Sequence, residues 1–158
     1  MRHAKSSWNS PHLSDFDRPL NNRGKTDLPD MASQFLESHY QVNLIISSPA
    51  ERAWTTAKGF AKTLQIADEY FLDDERFYHA SPSTLKEVIS NVDDTIEHLM
   101  IFGHNPGLTS LIENLSDFNL YNLPTCAICG IEFPFESWKD ILTTKGEKIY
   151  YDFPKSRA

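Results

Sequence analysis

Apolar residues recur at helical spacing in several stretches of the chain and bunch into short runs between them. Leu28, Met31, Ala32, Phe35 and Leu36 outline a helix from about Thr26 to Tyr40, with Pro29 near enough to its start to be tolerated. Asn43 to Ser47 is an apolar run that suits a buried strand. Ser48-Pro49-Ala50-Glu51 then has the form of a capping box, with Ser48 at the N-cap, Pro49 in the first helical position and Glu51 three residues on. The helix it opens carries Ala53, Ala57, Phe60, Ala61 and Leu64 on one face and Arg52 in its first turn. Asp68 to Glu75 holds five acidic residues in eight and reads as a solvated loop leading toward a strand. Leu85, Val88, Ile89 and Val92 mark a third helix. Leu99 to Phe102 is another buried strand, running into Gly103-His104-Asn105-Pro106-Gly107. There Asn105 is placed to cap a helix that opens at Pro106 and turns Leu108, Leu111, Ile112 and Leu115 inward. Thr125 to Phe133 and Lys148 to Phe153 read as two further strands, the second at a sheet edge.

Helices alternating with short apolar strands predict an α/β domain with a mostly parallel sheet covered on both faces. No repeat, low-complexity tract or linker divides the chain, so residues 1–158 read as one domain, long enough at 40% hydrophobic content to bury a core. Residues 9–25, rich in Asn, Ser, Pro and Asp, show no period and read as an ordered loop. Loops of that length in compact domains usually serve function.

Composition narrows the class. No apolar run approaches the roughly 18 residues that span a bilayer, and no basic segment leads into an apolar one at the start, so a soluble cytoplasmic protein is expected. Two cysteines do not make a disulfide framework. A net charge of -7 argues against a general nucleic-acid binder. Residues 1–25 nevertheless hold five Lys/Arg against two Asp/Glu, whereas the remainder holds ten against twenty, so the basic region surrounds the start. A small anion is drawn there.

That start reads Met1-Arg2-His3-Ala4-Lys5-Ser6-Ser7-Trp8, with an arginine and a histidine side by side. Alone it is a basic terminus, most often a solvated tail. Arg52 and His104, however, both sit at strand-to-helix junctions, which in open α/β sheets gather along the carboxyl edge where ligands bind and helix N-termini favour anions. The two are expected as neighbours.

Together with Asp15-Phe16-Asp17-Arg18-Pro19-Leu20-Asn21-Asn22-Arg23-Gly24, Ser47-Ser48-Pro49, Thr56-Ala57 and Gly103 to Gly107, these blocks resemble the histidine phosphatase superfamily, and within it the small SixA-type phosphohistidine phosphatases. The resemblance implies a three-layer fold and a metal-independent phosphatase without cofactors. His3 matches the nucleophile, which takes the phosphoryl group as a covalent phosphohistidine that water cleaves. Arg2, Arg52 and His104 match the phosphate pocket, with Arg18 and Ser6 as further substrate-binding residues. His3 must then be unprotonated at its reacting nitrogen, disfavoured as imidazolium by Arg2 and Arg52, with a backbone carbonyl holding the other nitrogen. The expected partner is a phosphorylated protein, bearing phosphohistidine, or a small phosphate ester; neither nucleic acid nor membrane is implied.

Two departures follow. No glutamate or aspartate general acid is found between Phe77 and Leu85, which suits the imidazole leaving group of a phosphohistidine better than an alkoxide. The family also places a buried strand before Arg-His, so the first strand is expected to be truncated and Met1 to be an internal residue of it. With Met1 as the native start, His3 is expected on a weakly positioned free end.

Other signals have plainer readings. Asp15-Phe16-Asp17 has the spacing of a magnesium-dependent aspartate nucleophile but no apolar strand before it, so these acids are expected to cap turns or orient Arg18. Cys126 and Cys129, three apart on a strand, should point to opposite faces and act as core thiols. His12, His39, His79 and His98 lack ligand spacing and read as surface or loop residues. Trp54 and Trp138 read as packing, and Trp8 as a lining of the site mouth. Two rival functions remain, a small-molecule phosphomonoesterase and a phosphate-binding module without turnover.

Overall fold

The computed structural model describes residues 1–156. Three short strands, β1 (Leu44–Ser47), β2 (Phe71–Asp73) and β3 (Leu99–Phe102), pair in parallel in the order β2-β1-β3. Ile45 lies opposite Phe71 on one side and Met100 on the other. β4 (Ile128–Glu132) and β5 (Glu147–Asp152) form a separate antiparallel pair. One mostly parallel sheet was the expectation for all five. The last two strands depart from it because a parallel pair needs a crossover, usually helical, and their connection contains only the 3-10 turn Trp138–Leu142.

The opening residues join the two sheets. Arg2 pairs in parallel with Gly103, the Gly103 N–H donates to the Met1 carbonyl at 3.1 Å, and the His3 N–H donates to the Gly103 carbonyl at 3.3 Å. On the other side the Arg2 N–H donates to Ala127 at 3.1 Å, and the Cys126 N–H donates to the His3 carbonyl at 2.9 Å. The weakly held free end considered above is therefore not what forms: His3 is tied to both sheets.

Four helices complete the layers: α1 (Asn22–Glu37), α2 (Glu51–Thr63), α3 (Pro82–Ser90) and α4 (Gly107–Leu115). α1 starts at Asn22 rather than Thr26, because the Asn21 side chain caps it by accepting from the Gly24 N–H at 2.9 Å. Pro29 thus falls inside the helix, on an exposed face. The capping box expected at Ser48 does not form. α2 begins at Glu51 with no side-chain cap, and Ser48 Oγ accepts from the Ala50 N–H at 3.2 Å. Asn105 precedes α4 as expected and its side-chain carbonyl accepts from the Thr109 N–H at 3.3 Å, although the helix itself begins at Gly107.

Alternating strand positions feed two cores. Ile45, Met100 and Phe102 pack with Met31 and Phe35 of α1 and Ala57 and Phe60 of α2. Leu44 and Ile46 pack with Leu85 and Ile89 of α3 and Leu108 and Leu111 of α4. The three-layer reading holds. Cys126 belongs to the first core and Cys129 packs against the second, and burial pushes the two thiols up to about 12 and about 11. Trp54 stacks on Phe71 at 4.3 Å, and the Trp138 indole donates to Ile96 at 2.7 Å. Among the described residues no helix is long and apolar enough to cross a membrane.

Two glycines let loops approach helix starts. A Cβ on Gly24 would lie 2.2 Å from the Lys5 carbonyl, and one on Gly107 would lie 2.1 Å from that of Ala80. The backbone of 4–7 thereby rests on α1, and that of the loop before α3 rests on α4.

Phe60 has no exposed surface and is ringed by Phe35 and Phe102, with centroids at 6.3 and 5.5 Å. Phe60→Ala leaves a cavity under the first core and should lower unfolding free energy by about 3–5 kcal/mol, read by urea denaturation.

Candidate active site

The carboxyl ends of β1 and β3 open toward the backbone of the first residues, and each delivers one polar side chain. β1 runs through Ser47 and Ser48 into α2, whose first turn carries Arg52. β3 runs through Gly103 to His104, just before α4. His3, Arg52 and His104 are all at least nine-tenths buried. The two junctions implied that Arg52 and His104 are neighbours, and the two line one cavity together with His3.

The His3 imidazole is fixed by its own neighbour. Nδ1 lies 2.7 Å from the Ala4 carbonyl, which only accepts, so Nδ1 carries the hydrogen and Nε2 presents its lone pair. Nε2 faces the Arg52 Nε–H at 3.4 Å. Burial, and then the positive charges of Arg52, Arg2 and Arg18, lower its pKa to about 4, against which the Ala4 bond works only in part. Desolvation is thus the larger cause, and the arginines named from the sequence are second. Thr56 locks the arrangement: its hydroxyl accepts from the Ala4 N–H at 3.0 Å and donates to the Arg52 carbonyl at 2.7 Å.

His104 Nε2 sits 2.8 Å from the Ser48 hydroxyl, whereas Nδ1 is buried without a partner. Burial, with His3, Arg52 and His79 nearby, lowers its pKa to about 3. Arg2 donates through Nη1 to the Leu123 carbonyl at 2.9 Å, and its Nε is likewise buried and unpartnered. Buried donors are rarely left unsatisfied. The Arg2 Nε donor and the unpartnered His104 ring nitrogen belong to residues that line a cavity of about 180 Å³ together with His3, Arg18 and Arg52, a setting that suits an oxyanion.

Arg18 reaches the same cavity. Its Nη1 donates to the Ser6 hydroxyl at 3.0 Å and the Ser7 carbonyl at 3.3 Å, and its guanidinium lies 3.5 Å over the Trp8 ring. Ser6 is itself buried and bridges to Leu20. Trp8 stands exposed at the mouth.

Residues outside the sequence prediction enter through Asp15. Its carboxylate accepts from Arg18 Nε at 3.1 Å, Arg52 Nη2 at 3.0 Å and the Tyr78 hydroxyl at 2.6 Å, and its backbone carbonyl accepts from Arg52 Nη1 at 2.6 Å. Partial burial would raise its pKa, but the bonds from Tyr78, Arg52 and Arg18 outweigh that and hold the carboxyl well below its usual range. Asp15 orients Arg18 as expected and, beyond that, Arg52. His79, set aside for lacking ligand spacing, is an exposed loop residue that nonetheless lines the cavity, with Nε2 3.3 Å from Asp15 Oδ2. No periodicity signals Asp15, Tyr78 or His79, because two separate irregular segments, one at Asp15 and one before α3, bring them together. His12, His39 and His98 are exposed and lie elsewhere. Among the described residues no three His, Cys, Asp or Glu side chains converge as a metal site.

Comparison with known proteins fits this geometry. Residues 1–77 match the family model described as "Histidine phosphatase superfamily (branch 1)". An uncharacterised protein of Mycobacterium tuberculosis is 35% identical over 112 residues, covering 70% of this chain and 66% of that protein. The SixA structure from Agrobacterium tumefaciens, provisionally named a phosphohistidine phosphatase, superposes with a TM-score of 0.80 at 24% identity, over 97% of this chain and 94% of that one. A protein histidine phosphatase SixA complexed with tungstate superposes with a TM-score of 0.82 at 16% identity, over 100% and 97%. At these identities the structural likeness speaks for the fold. With the family match running through the Arg2-His3 motif and Arg52, this chain belongs to the histidine phosphatase superfamily and has the fold of its SixA-type members.

Proposed function

We propose that this chain is a phosphatase that takes a phosphoryl group onto Nε2 of His3 and passes it to water, acting on a phosphohistidine of a cytoplasmic signalling protein. One observation carries the reading: the His3 imidazole is buried at the cavity, with Nδ1 committed to the Ala4 carbonyl at 2.7 Å and the Nε2 lone pair met only by the long contact from Arg52 Nε–H at 3.4 Å. A neutral imidazole held in one tautomer is a nucleophile with its lone pair already aimed.

In this scheme the Nε2 lone pair attacks phosphorus in line with the leaving nitrogen. The bond from phosphorus to that nitrogen breaks, its electron pair leaving with the departing imidazole. Water then attacks the phosphohistidine, and the pair of the His3–phosphorus bond returns to Nε2. Charge on the equatorial oxygens is met by Arg2, Arg52 and Arg18, and by His104. With Ser48 donating to Nε2 of His104, its unpartnered Nδ1–H is a neutral donor to the same oxygens. Ser6 holds Arg18 in reach. The scheme calls for no metal or cofactor.

Access supports a protein-borne substrate. Trp8, 74% exposed, lines the cavity and offers an aromatic face beside the anion site.

Incubation with a radiolabelled phosphohistidine protein should leave acid-labile label on wild-type chain and none on His3→Ala. Turnover should fall by about 10⁴-fold or more in that variant. Full hydrolysis by His3→Ala rules out the mechanism, and anion binding without label favours a binding module. A panel of sugar and nucleotide phosphates should be turned over more slowly than the phosphohistidine protein; the reverse order identifies a small-molecule phosphomonoesterase.

Protonation gives a second test. The unfolded chain takes up protons on His3 and His104 near the ordinary value of 6.5, which the folded chain refuses until about 4 and about 3. Stability from these two groups is therefore complete above pH 6.5 and is lost as pH falls toward 4. Nitrogen-15 imidazole spectra should show both rings neutral from pH 5 to 8, His3 with hydrogen on Nδ1. A His3 that titrates near 6.5 contradicts this.

A further inference from the structure

The loop before α3 is pinned on both sides of one exposed histidine. Phe77 is buried in the second core at 1% exposure, and the Ala80 carbonyl rests where a Cβ on Gly107 would lie 2.1 Å away. Between them His79 adopts a φ of 54°, a left-handed backbone that a non-glycine residue rarely takes. Strain of that kind persists only where the surroundings impose it.

What the loop achieves is the placement of an imidazole beside the anion cavity. Asp15 Oδ2 receives the Tyr78 hydroxyl at 2.6 Å and faces His79 Nε2 at 3.3 Å, and the Tyr78 and His79 rings lie 4.0 Å apart. The contact with the Asp15 carboxylate takes up the Nε2 edge of the ring and leaves Nδ1 as the nitrogen for a ligand. The His79 ring lies 5.9 Å from that of His104, across the cavity that His3 also lines.

We propose that His79 is the proton donor to the leaving group and then the base for the attacking water, seated for both tasks by Asp15 and Tyr78; this rests on His3 being the nucleophile. In the first step Nδ1 of the His79 imidazolium gives its proton to the leaving atom as the bond from phosphorus breaks and the electron pair departs with that atom. In the second, Nδ1 takes a proton from water as its oxygen bonds to phosphorus and the His3–phosphorus pair returns to Nε2.

Other groups at the cavity are poorer donors. His104 stays neutral to about 3, and Asp15 is held ionised by Tyr78 and the arginines. His79 lies in the segment between Phe77 and Leu85, which contains no Glu or Asp.

A proton donor matters in proportion to how badly the leaving group needs one. For His79→Gln, kcat/KM on phenyl phosphate should fall about 1000-fold and on 4-nitrophenyl phosphate only about 10-fold. Phosphohistidine on His3 should accumulate with the second substrate, because hydrolysis has lost its base. Tyr78→Phe keeps the ring but removes its bond to Asp15, and should show the same selectivity at a smaller amplitude. Equal losses on both substrates, or none, overturn the assignment while leaving His3 labelled. A wild-type chain that carries no phosphoryl group on His3 overturns both readings.

Discussion

The main chain around His3 is the constraint from which the rest of the site follows. Its N–H is bonded to Gly103 and its carbonyl to Cys126, so the residue bridges the parallel strands and the antiparallel pair. A side chain on a frayed end samples many rotamers. One whose backbone is shared by two sheets, and whose ring is bonded to the next carbonyl, has a single position and a single tautomer. Burial in that position costs the charged form of the imidazole its hydration, which is why desolvation comes first among the causes of its lowered pKa.

Three guanidiniums around one cavity raise a second problem, their mutual repulsion. Asp15 answers it at low positional cost, since one carboxylate and its own carbonyl bond both Arg52 and Arg18. The ion pair to Arg52 joins a deeply buried cation to a partly exposed anion, with side-chain exposures of 4% and 39%. An arrangement of that kind works more as orientation than as net stabilisation, because desolvating the cation opposes the attraction. It also explains why the Asp15–Asp17 loop belongs to the site although it contributes no nucleophile. Through Tyr78 and His79 the same carboxylate draws the loop before α3 to the cavity edge, so one acid aligns elements that are far apart in the chain.

Much of the scaffold is legible in the amino-acid pattern. The apolar stripes of α2 and α4 lie on their buried faces, the runs at Leu44 and Leu99 are strands, and both junctions deliver Arg52 and His104 to one edge. Three departures have separate physical causes. Ser48 has the spacing of a helix cap, yet its hydroxyl accepts from the Ala50 N–H at 3.2 Å and lies 2.8 Å from His104 Nε2, a competing partner from the neighbouring strand end. α1 starts early because Asn21 caps it from within a stretch polar enough to read as loop. β4 and β5 turn antiparallel because no crossover helix separates them.

The sequence by itself determined what short-range physics can determine: which segments are helix or strand, which faces are buried, and which cationic and imidazole side chains stand at the strand ends. Only the tertiary structure decided what those side chains do to one another. The pKa of His3 depends on burial and on charges from residues 18 and 52, the tautomer on a 2.7 Å bond, and the roles of Asp15 and His79 on loops meeting across the cavity. None of these is a periodic or local property, since each arises from desolvation and distance between groups that the chain separates and the fold brings into contact.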